Sequence, residues 1–577
     1  MQFKLPFFHQ LKAYNGRTFT QDIVGGLTVG VMLIPQGMAY AYLADIPPVY
    51  GLYASIVPLL IYMLMGTSIY AAIGPAALTS LLAFSGLNQA GITDPDEFLN
   101  AVLVIALLSG LIQFLMGIFQ LGKIVNFISK PVLKGFIFGA ALTIFLSQLK
   151  SATGIKIDAH GSIDTLLALV SNSFTFSFYT VLISGLSIAF LFYMKRFSKR
   201  IPNQLIVMLV SLLIIFFFNT ESSGVSILGK IPNGLPYFSV PYISWDLIKL
   251  LLPASITIAF ISFVEVYAIG VSLEDKEDKG SIKPNQELVA LGLSKLIGSF
   301  FLAYPTSSSF SRSAVNKQGG TKTNISTIFT VGLVILTLLF LTPYFYFLPK
   351  AALAAIIIVA IIGLMDFPYY KRLWAIDKRD FLMFAVTTLV TFLIGVQEGI
   401  IAGVVLSIMA LLYAISYPHA AEIALVKGTL NTFRNVDRYA DIDINDELLI
   451  YRFDAALSFA NIPHFIKKLK QFETNKKGLK YIVIDATAID SIDTTSLDII
   501  KEISVEYKLN HIRMIIACLK GPVRDKFERT NMFKEIGENN FFPSVSDAIS
   551  DIKGEERKID PQIVFQTNPL TNSDKKS

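Results

Sequence analysis

A short polar stretch, YPTSSSFSRSAVN at residues 304–316, lies between two strongly apolar regions and carries groups that could bind an anion. Its cation is Arg312, whose guanidinium combines a fixed positive charge with a forked set of donors suited to oxyanions. Six residues around it carry hydroxyl donors: Thr306, Ser307, Ser308, Ser309, Ser311 and Ser313. Not all of them can face one ligand, since serines in helices also bond to their own backbone. The pattern favours an anion site that includes Ser309, Ser311 and Arg312.

A second motif, GPAALTS at residues 74–80, also interrupts an apolar region. The N-terminus of a helix presents unpaired N–H groups and roughly half a positive charge. If helices begin at both motifs within a membrane, their N-terminal N–H groups point towards one another. Two facing termini would form an anion site before any side chain is counted.

One acidic residue, Glu265, lies in the apolar segment ISFVEVYAIG. It shares a helical face with Ser262 and Ser255, as in the lining of a cavity. An ionisable residue within a membrane segment is a functional candidate by default. Three roles stay open: Glu265 carries a coupling proton, helps to bind a coupling cation such as Na⁺, or pairs with Arg312. The last role would make the pair mainly structural.

The segment GVMLIPQGMAYAYL at residues 30–43 supplies two further polar groups. Gln36 and Tyr40 are four residues apart and therefore share a helix face, while Pro35 loosens the local backbone. A neutral amide and a phenol could complete the wall of the anion site. The alternative is that both side chains only pack between helices.

Composition identifies the environment of these groups. The chain has 577 residues, of which 53% are hydrophobic and 16% are charged, whereas soluble proteins carry about 25% charged residues. Several apolar stretches exceed the length of about 18 residues that crosses a bilayer. We therefore expect a large multi-spanning membrane protein, for which a net charge of +6 is no sign of nucleic-acid binding.

The same composition excludes several kinds of chemistry. The single cysteine, Cys518, cannot form an intrachain disulfide, and all five histidines fall outside the predicted spans. A metal site in the membrane is therefore not expected. The sequence contains no GxxxxGK[ST] loop for ATP and no redox cofactor motif. It predicts neither an enzyme nor an ATP-driven pump, and no cofactor beyond a coupling ion, H⁺ or Na⁺.

Hydropathy divides the membrane part into fourteen segments. Twelve have the length of ordinary spans: 22–43, 50–66, 97–119, 131–149, 178–194, 204–219, 249–272, 286–303, 323–346, 350–365, 380–395 and 397–417. Two shorter segments, 74–87 and 309–317, contain the polar motifs. We predict a transmembrane domain over residues 1–418, a cytosolic domain over 419–558 and a disordered tail over 559–577.

The positions of Lys and Arg indicate whether the short segments cross, because cytoplasmic loops are enriched in these residues. Fourteen crossings place the basic loops 121–135, 195–200 and 369–379 and both termini in the cytoplasm. Each short segment is then the third in a set of seven. Because seven is an odd number of crossings, the second set has the opposite orientation in the membrane. Paired interrupted segments of this kind indicate the binding site of a transporter. The alternative is two unrelated re-entrant loops that cap a pore.

The region 33–55, LIPQGMAYAYLADIPPVYGLYAS, is very similar to the signature of the SulP anion transporters, the sulfate permease family. The two polar motifs also resemble that family's third and tenth segments. The resemblance implies an α-helical fold of seven plus seven inverted segments with two half-helices, a core, a gate, elevator-like transport and a homodimer. It also implies which residues bind the anion: Gln36, Tyr40, Ala76, Ser311 and Arg312, with Glu265 as the family's eighth-segment acid. Some relatives carry an aromatic residue where this chain has Ala76, so the pocket could be roomier there.

The C-terminal region alternates strands and helices, which indicates a mixed sheet covered by helices. It resembles a STAS domain, an α/β fold in which the turn DSSG holds a phosphorylatable serine. Here the turn is DTTS, and Thr495 takes the phosphoacceptor position, although Ser496 replaces the glycine. The alternative is that Asp493 or Thr494 caps the helix that follows. The domain is also a candidate site for a cytosolic protein partner.

These observations predict a secondary active transporter of inorganic anions in the cell (inner) membrane. Sulfate is the first candidate substrate, and a symporter of bicarbonate or C4-dicarboxylates is the alternative. A channel-like anion conductor would give current without saturation. A membrane-anchored sensor that reports anion occupancy through the STAS domain would bind anions with little flux.

Overall fold

A computed structural model of the chain describes residues 6–12, 14–92, 94–123, 129–155, 162–171, 175–197, 203–218, 225–229, 234–274, 282–429 and 431–555. It separates into two compact units, Met1–Ile408 and Met409–Ser577. The tail predicted to be disordered, 559–577, lies outside the described residues.

The first unit is helical. Its helices are α1 (Pro6–Lys12), α2 (Gly16–Leu43), α3 (Val49–Tyr53), α4 (Val57–Met65), α5 (Ala77–Gln89), α6 (Pro95–Ile118), α7 (Lys130–Thr153), α8 (Ser162–Ser171), α9 (Phe178–Phe197), α10 (Asn203–Phe218), α11 (Trp245–Leu273), α12 (Pro284–Ser299), α13 (Phe310–Gln318), α14 (Ser326–Leu336), α15 (Lys350–Ile362), α16 (Phe367–Ile376), α17 (Lys378–Leu393) and α18 (Val396–Ser416), the last of which runs into the second unit. Twelve of the fourteen predicted segments each coincide with one helix, and 50–66 coincides with α3 and α4 together. The remaining segment, 323–346, begins with α14 and continues through a π-helical turn, Thr337–Leu341, and a 3₁₀ helix, Thr342–Phe347. Two short helices, α8 and α16, lie between the predicted spans.

Within the described residues, seven helical stretches are long and apolar enough to cross a membrane. They include α2, α6, α7 and α11, which run for 24 to 29 residues. A helix of that length extends about 36 Å or more, enough for a hydrocarbon layer of about 30 Å. The chain is therefore a multi-pass membrane protein.

The two polar motifs meet at a short two-stranded sheet, β1 (Ile73–Gly74) and β2 (Ser307–Ser308). The strands are antiparallel, with Ile73 opposite Ser308 and Gly74 opposite Ser307. Extended backbone at membrane depth needs such pairing, because lipid offers no hydrogen bonds. Each strand leads directly into a short helix, β1 into α5 and β2 into α13. These are the two predicted half-helices.

Gly74 is required at this crossing. Its φ of +147° is a conformation that L side chains rarely adopt, and a Cβ there would lie 3.1 Å from Cδ1 of Leu33 and 3.5 Å from Nη2 of Arg312. The missing side chain lets the guanidinium lie against the backbone of β1.

The packing of the helices repeats between the two halves. In the first half α6 packs against α11 and α12, and in the second half α14 packs correspondingly against α2 and α4. Two further pairs of contacts correspond in the same way. Helix α5 packs on α11 as α13 packs on α2, and α7 packs on α17 as α15 packs on α9. This reciprocal pattern is that of two inverted repeats, as predicted.

The helices form two groups. A core bundle contains α2 to α6 and α11 to α14, and a gate bundle contains α7, α9, α10, α15 and α17. Glycines allow close approach inside the core bundle: a Cβ on Gly110 of α6 would lie 2.6 Å from the backbone nitrogen of Leu296 in α12. Close backbone contact at small residues is how membrane helices gain packing energy.

The second unit contains a seven-stranded sheet. Its strands are β3 (Ala420–Val426), β4 (Phe433–Asn435), β5 (Ile442–Asp443), β6 (Leu448–Phe453), β7 (Tyr481–Asp485), β8 (Arg513–Ala517) and β9 (Phe541–Phe542), and its helices are α19 (Ile462–Thr474), α20 (Thr494–Leu509), α21 (Gly521–Arg529), α22 (Met532–Ile536) and α23 (Val545–Lys553). The order is β4-β3-β6-β7-β8-β9, with β5 also on β3. Strands β6 to β9 are parallel and β3 is antiparallel. Apolar side chains of the sheet pack on both of its faces. This is the predicted α/β domain.

Candidate anion site

The site is built on two helix N-termini that no side chain caps. The N-cap residues are Ala76 for α5 and Ser309 for α13, both with extended backbone. Serine is a preferred capping residue, yet the hydroxyl of Ser309 lies 3.0 Å from that of Ser311 and does not accept from the helix. Helices α6, α7 and α11 are each capped by a side chain, whereas α12, α14 and α15 lack a side-chain cap as the half-helices do. The first-turn N–H groups of both half-helices therefore stay available to a ligand.

Arg312 lies in the first turn of α13 and is fully buried. Its Nη1 donates to Oε1 of Gln36 at 2.8 Å, and its Nη2 donates to the carbonyl oxygen of Pro75 at 2.8 Å. Its Nε has no hydrogen-bond partner among the described residues. An unsatisfied donor on a buried cation is costly. The guanidinium is thus held in place through Nη1 and Nη2 while its Nε–H remains available to a ligand.

Gln36 and Tyr40 are buried one turn apart on α2. Gln36 accepts from Arg312 through Oε1 and donates through Nε2 to Oε1 of Gln204 in α10 at 2.8 Å. Those two bonds fix the orientation of its amide. The structure thus brings Gln36, Ala76 and Arg312 together around β1 and β2, with Ser309 and Ser311 at the start of α13.

Glu265, on α11, does not pair with Arg312. Its carboxylate is partly buried and accepts a hydrogen bond from the hydroxyl of Ser307 at 2.5 Å. Ser307 belongs to β2, directly before α13. The acid is therefore connected to the strand that positions Arg312, and it lies within electrostatic range of the guanidinium.

Other hydroxyls of the motif hold the crossing together. Ser313 accepts from the backbone nitrogen of Ala72 at 2.9 Å and lies 3.0 Å from the hydroxyl of Ser308. Thr306 is fully buried, and its hydroxyl has no partner within the described part of the chain. A second unsatisfied polar group therefore lies in the same motif as Arg312.

Sequence reasoning missed one buried cation. Lys295 of α12 is only 1% exposed, and its Nζ donates to Oε1 of Gln113 at 2.9 Å and to the hydroxyl of Ser262 at 2.5 Å. Ser262 precedes Glu265 by one turn of α11. Its position inside the apolar segment 286–303 could have identified Lys295 as a functional candidate from the sequence.

A buried acid in the same helix has a different role. Glu287 accepts from the hydroxyl of Tyr62 at 2.8 Å and from the backbone and hydroxyl of Thr67 at 2.6 and 2.5 Å. These donors satisfy its carboxylate and tie α12 to the loop that leads into β1. Glu287 therefore fixes the position of that loop.

In the second unit, Asp493 caps α20. It accepts from the backbone nitrogen of Ser496 at 2.8 Å and from that of Phe459 at 2.6 Å. Burial alone would raise the pKa of Asp493, but these hydrogen bonds outweigh it and lower the pKa. Thr495 is exposed in the first turn of α20.

Chemically, the membrane site offers a buried positive charge on Arg312 and uncapped N–H groups at two helix N-termini. The hydroxyl of Thr306 beside them is buried, that of Ser309 is half-buried and that of Ser311 is exposed. Within the described residues no group of His, Cys, Asp or Glu could hold a metal ion. The arrangement binds charge without offering a nucleophile or an acid–base pair beside it. It is suited to binding an anion rather than to transforming it.

Comparisons with known proteins identify the family of the chain. Residues 19–387 match the model of the sulfate permease family, and residues 439–548 match that of the STAS domain. The chain is 34% identical over 564 residues to "Sulfate transporter 4.1, chloroplastic" of Arabidopsis thaliana, which covers 94% of this chain and 82% of that protein.

Two solved structures share the fold. The murine Slc26a9 anion transporter in its inward-facing state superposes with a TM-score of 0.85 at 25% identity, over 96% of this chain and 94% of the other. The transmembrane domain of a cyanobacterial bicarbonate transporter, BicA, superposes with a TM-score of 0.60 at 21% identity, over 68% and 98% of the two chains. The second likeness concerns the fold alone. With its paired half-helices, its two bundles and its STAS domain, the chain belongs to the sulfate permease family and is a membrane transporter of anions.

Proposed function

We propose that the chain is a secondary active transporter of sulfate that binds the anion at Arg312, between the N-termini of α5 and α13. The observation that carries this proposal is the buried guanidinium: among the residues that the structure describes, its Nε has no partner and no carboxylate pairs with it. A desolvated cation of this kind is stabilised by a counter-ion. The relative from Arabidopsis thaliana is named a sulfate transporter, which favours sulfate over other anions.

Sulfate fits the donors that surround the site. Its oxygens can accept from Nε of Arg312, from first-turn N–H groups next to Ala76 and Ser309, and from the hydroxyl of Ser311. Charge-assisted hydrogen bonds to such an oxyanion are about twice as strong as neutral ones. Tyr40, one turn from Gln36, would complete the wall. Bicarbonate and C4-dicarboxylates would use the same donors and are outcomes of the test below.

Glu265 is proposed to carry the coupling proton. Its bond from Ser307 reaches the strand that precedes α13, so its charge and the occupancy of the site affect one another. A protonated carboxyl beside the site favours an anion, whereas a carboxylate opposes it. Proton and anion would then bind together, as symport requires. Na⁺ in place of H⁺ is the alternative.

Movement would follow the elevator scheme, with the core bundle sliding against the gate bundle. Among the described residues, two side-chain hydrogen bonds link the bundles and would have to break: Gln36 with Gln204 at 2.8 Å, and the hydroxyls of Tyr42 and Ser151 at 3.0 Å. We further propose a homodimer in the cell membrane with both termini in the cytoplasm. The distribution of Lys and Arg supports this orientation.

The second unit is proposed to be regulatory. Thr495 is exposed at the start of α20, where a phosphate would meet a helix N-terminus. Phosphorylation there, or binding of a cytosolic partner, would depend on the loop that Asp493 holds. Thr495→Ala tests this proposal. The substitution should change transport in cells and leave transport by the purified protein unchanged.

The test is uptake of labelled sulfate into proteoliposomes that contain the purified chain, with and without an inward proton gradient. Saturable uptake that the gradient accelerates is expected, and Glu265→Gln should remove the acceleration. Unlabelled bicarbonate, fumarate and chloride serve as competitors.

Three other outcomes would contradict the proposal. Uptake of labelled bicarbonate or fumarate without sulfate would retain the site and change the substrate. Current that rises with voltage and does not saturate would indicate a channel. Sulfate binding without flux of any anion would indicate a sensor.

A further inference from the structure

Lys295 is a second buried cation of the core bundle, and the proposed binding of anion and proton does not use it. Its Nζ donates only to the neutral groups Gln113 and Ser262, at 2.9 and 2.5 Å. No ion pair joins it to a carboxylate in the part of the chain that the structure describes. Gln113 is fixed in turn by its bond to the carbonyl of Ala259 at 2.6 Å. The ammonium is thus held by neutral dipoles rather than by an ion pair.

Few ionisable groups surround this lysine in the part of the chain that the structure describes. Glu265 on α11 is within electrostatic range of both Lys295 and Arg312, and Tyr40 and Tyr304 are within electrostatic range of the guanidinium. Two other buried acids of the membrane unit form hydrogen bonds to other parts of it. Glu287 is bonded to the 67–68 loop, and Asp22 accepts from the backbone of Lys322 at 2.8 Å.

Charge counting then distinguishes anions by valence. Arg312 and Lys295 contribute two positive charges, and Glu265 removes one only while it is ionised. With Glu265 protonated, a divalent anion leaves the three groups and the ligand neutral together. A monovalent anion leaves one positive charge uncompensated in a low-dielectric region, which is unfavourable.

We propose that Lys295 is a specificity-determining residue that makes this site select divalent over monovalent oxyanions. Lys295 does not touch the ligand. Its charge compensates the second negative charge of the anion, so it is a positioning residue rather than a binding residue. The inference rests on the proposed function, since it assigns a property to the same anion site. It adds the role of Lys295 and the class of ligand, a doubly charged oxyanion.

The test measures equilibrium binding of two tetrahedral oxyanions, sulfate and perchlorate, to the purified full chain by calorimetry at pH 5.5. These anions have the same shape but differ in charge. Lys295→Gln removes the charge, while its amide can still donate to Gln113 and Ser262. Lys295→Met removes the charge with a side chain of different shape, so that two independent variants report on it. Lys249→Gln, which removes an exposed cation near the start of α11, is the matched control.

Wild type should bind sulfate more tightly than perchlorate. Both Lys295 variants should weaken sulfate binding by about tenfold or more, change perchlorate binding far less, and so reduce the selectivity. The control should keep the wild-type ratio.

Variants that keep the wild-type ratio of affinities, while wild type still binds sulfate, would overturn the role of Lys295 alone. Wild type that binds perchlorate as tightly as sulfate would overturn it without any variant, even if substitution prevented folding. Wild type that binds neither anion would overturn the proposed function and this inference with it.

Discussion

Replacing Arg312 with Gln removes the charge at the centre of the site and keeps a polar side chain there. The guanidinium is fully buried and donates to Gln36 and to the carbonyl of Pro75, both at 2.8 Å. Its Nε has no partner among the described residues and is available to a ligand. The substitution should therefore affect sulfate binding and protein stability separately.

The structure allows both effects to be estimated. One charge-assisted hydrogen bond is worth about 1.5–3 kcal/mol, which corresponds to a loss of affinity of about 10- to 150-fold. Loss of the Coulomb attraction adds to this, so about tenfold is the lower bound. The two acceptors left without their donor should each cost about 1–3 kcal/mol of stability if no other group replaces it.

Calorimetric titration of the purified chain with sulfate measures the first effect, and thermal unfolding in sulfate-free buffer measures the second. Lys249→Gln is the control: it removes one positive charge about 24 Å along α11 from Glu265, and it should leave the affinity within about twofold because that distance exceeds the screening length. An Arg312→Gln protein that is folded and binds sulfate as tightly as wild type would refute the argument and remove Arg312 from the site.

Three further predictions follow from other contacts. Glu265→Gln should leave anion exchange intact and make uptake independent of pH; a pH profile equal to that of wild type, measured in proteoliposomes, would reject proton coupling through this residue. Gly110→Ala should lower the unfolding temperature through overpacking worth about 1–3 kcal/mol, because its Cβ would lie 2.6 Å from the backbone nitrogen of Leu296. The control is Gly332→Ala, whose Cβ would meet no atom within 4 Å, and equal unfolding temperatures for the two variants would contradict the packing argument. Asp493→Ala should remove the cap of α20 at a cost of about 1 kcal/mol and speed hydrogen exchange in its first turn. Because the pKa of Asp493 is lowered on folding, the difference from wild type should be present at neutral pH, decrease as the pH falls below about 4 and vanish below the lowered pKa; a difference that persists there would show that the cap does not depend on the carboxylate.

Much of the architecture could be predicted because membrane helices are strongly constrained by composition. The fourteen segments follow from apolar length and from the loops rich in Lys and Arg, and the half-helices follow from the polar motifs around Ala76 and Arg312. Helices α8 and α16 were not predicted, since each has only 10 residues and neither is long enough to span.

The connections within the site were harder to predict. Pairing of Arg312 with Glu265 was one alternative, but the crossing of β1 and β2 instead directs the guanidinium to Gln36 and Pro75. The bond from Gln36 to Gln204 joins residues 168 positions apart, and nothing in either local sequence specifies it. Lys295 was visible as a cation in an apolar segment, yet its partners depend on how α6, α11 and α12 pack. For the STAS turn, the sequence left Asp493 and Thr494 open as the cap, and the structure has Asp493.

The central claim is that the transported anion lies against Arg312, between the N-termini of α5 and α13. The most direct measurement is the anomalous signal of selenium in crystals of the full chain grown with selenate, a divalent tetrahedral analogue of sulfate. We expect one strong peak, with oxygens about 3 Å from Nε of Arg312 and from first-turn N–H groups of α5 or α13. A peak elsewhere in the membrane unit, or none at a selenate concentration that saturates binding in solution, would contradict it.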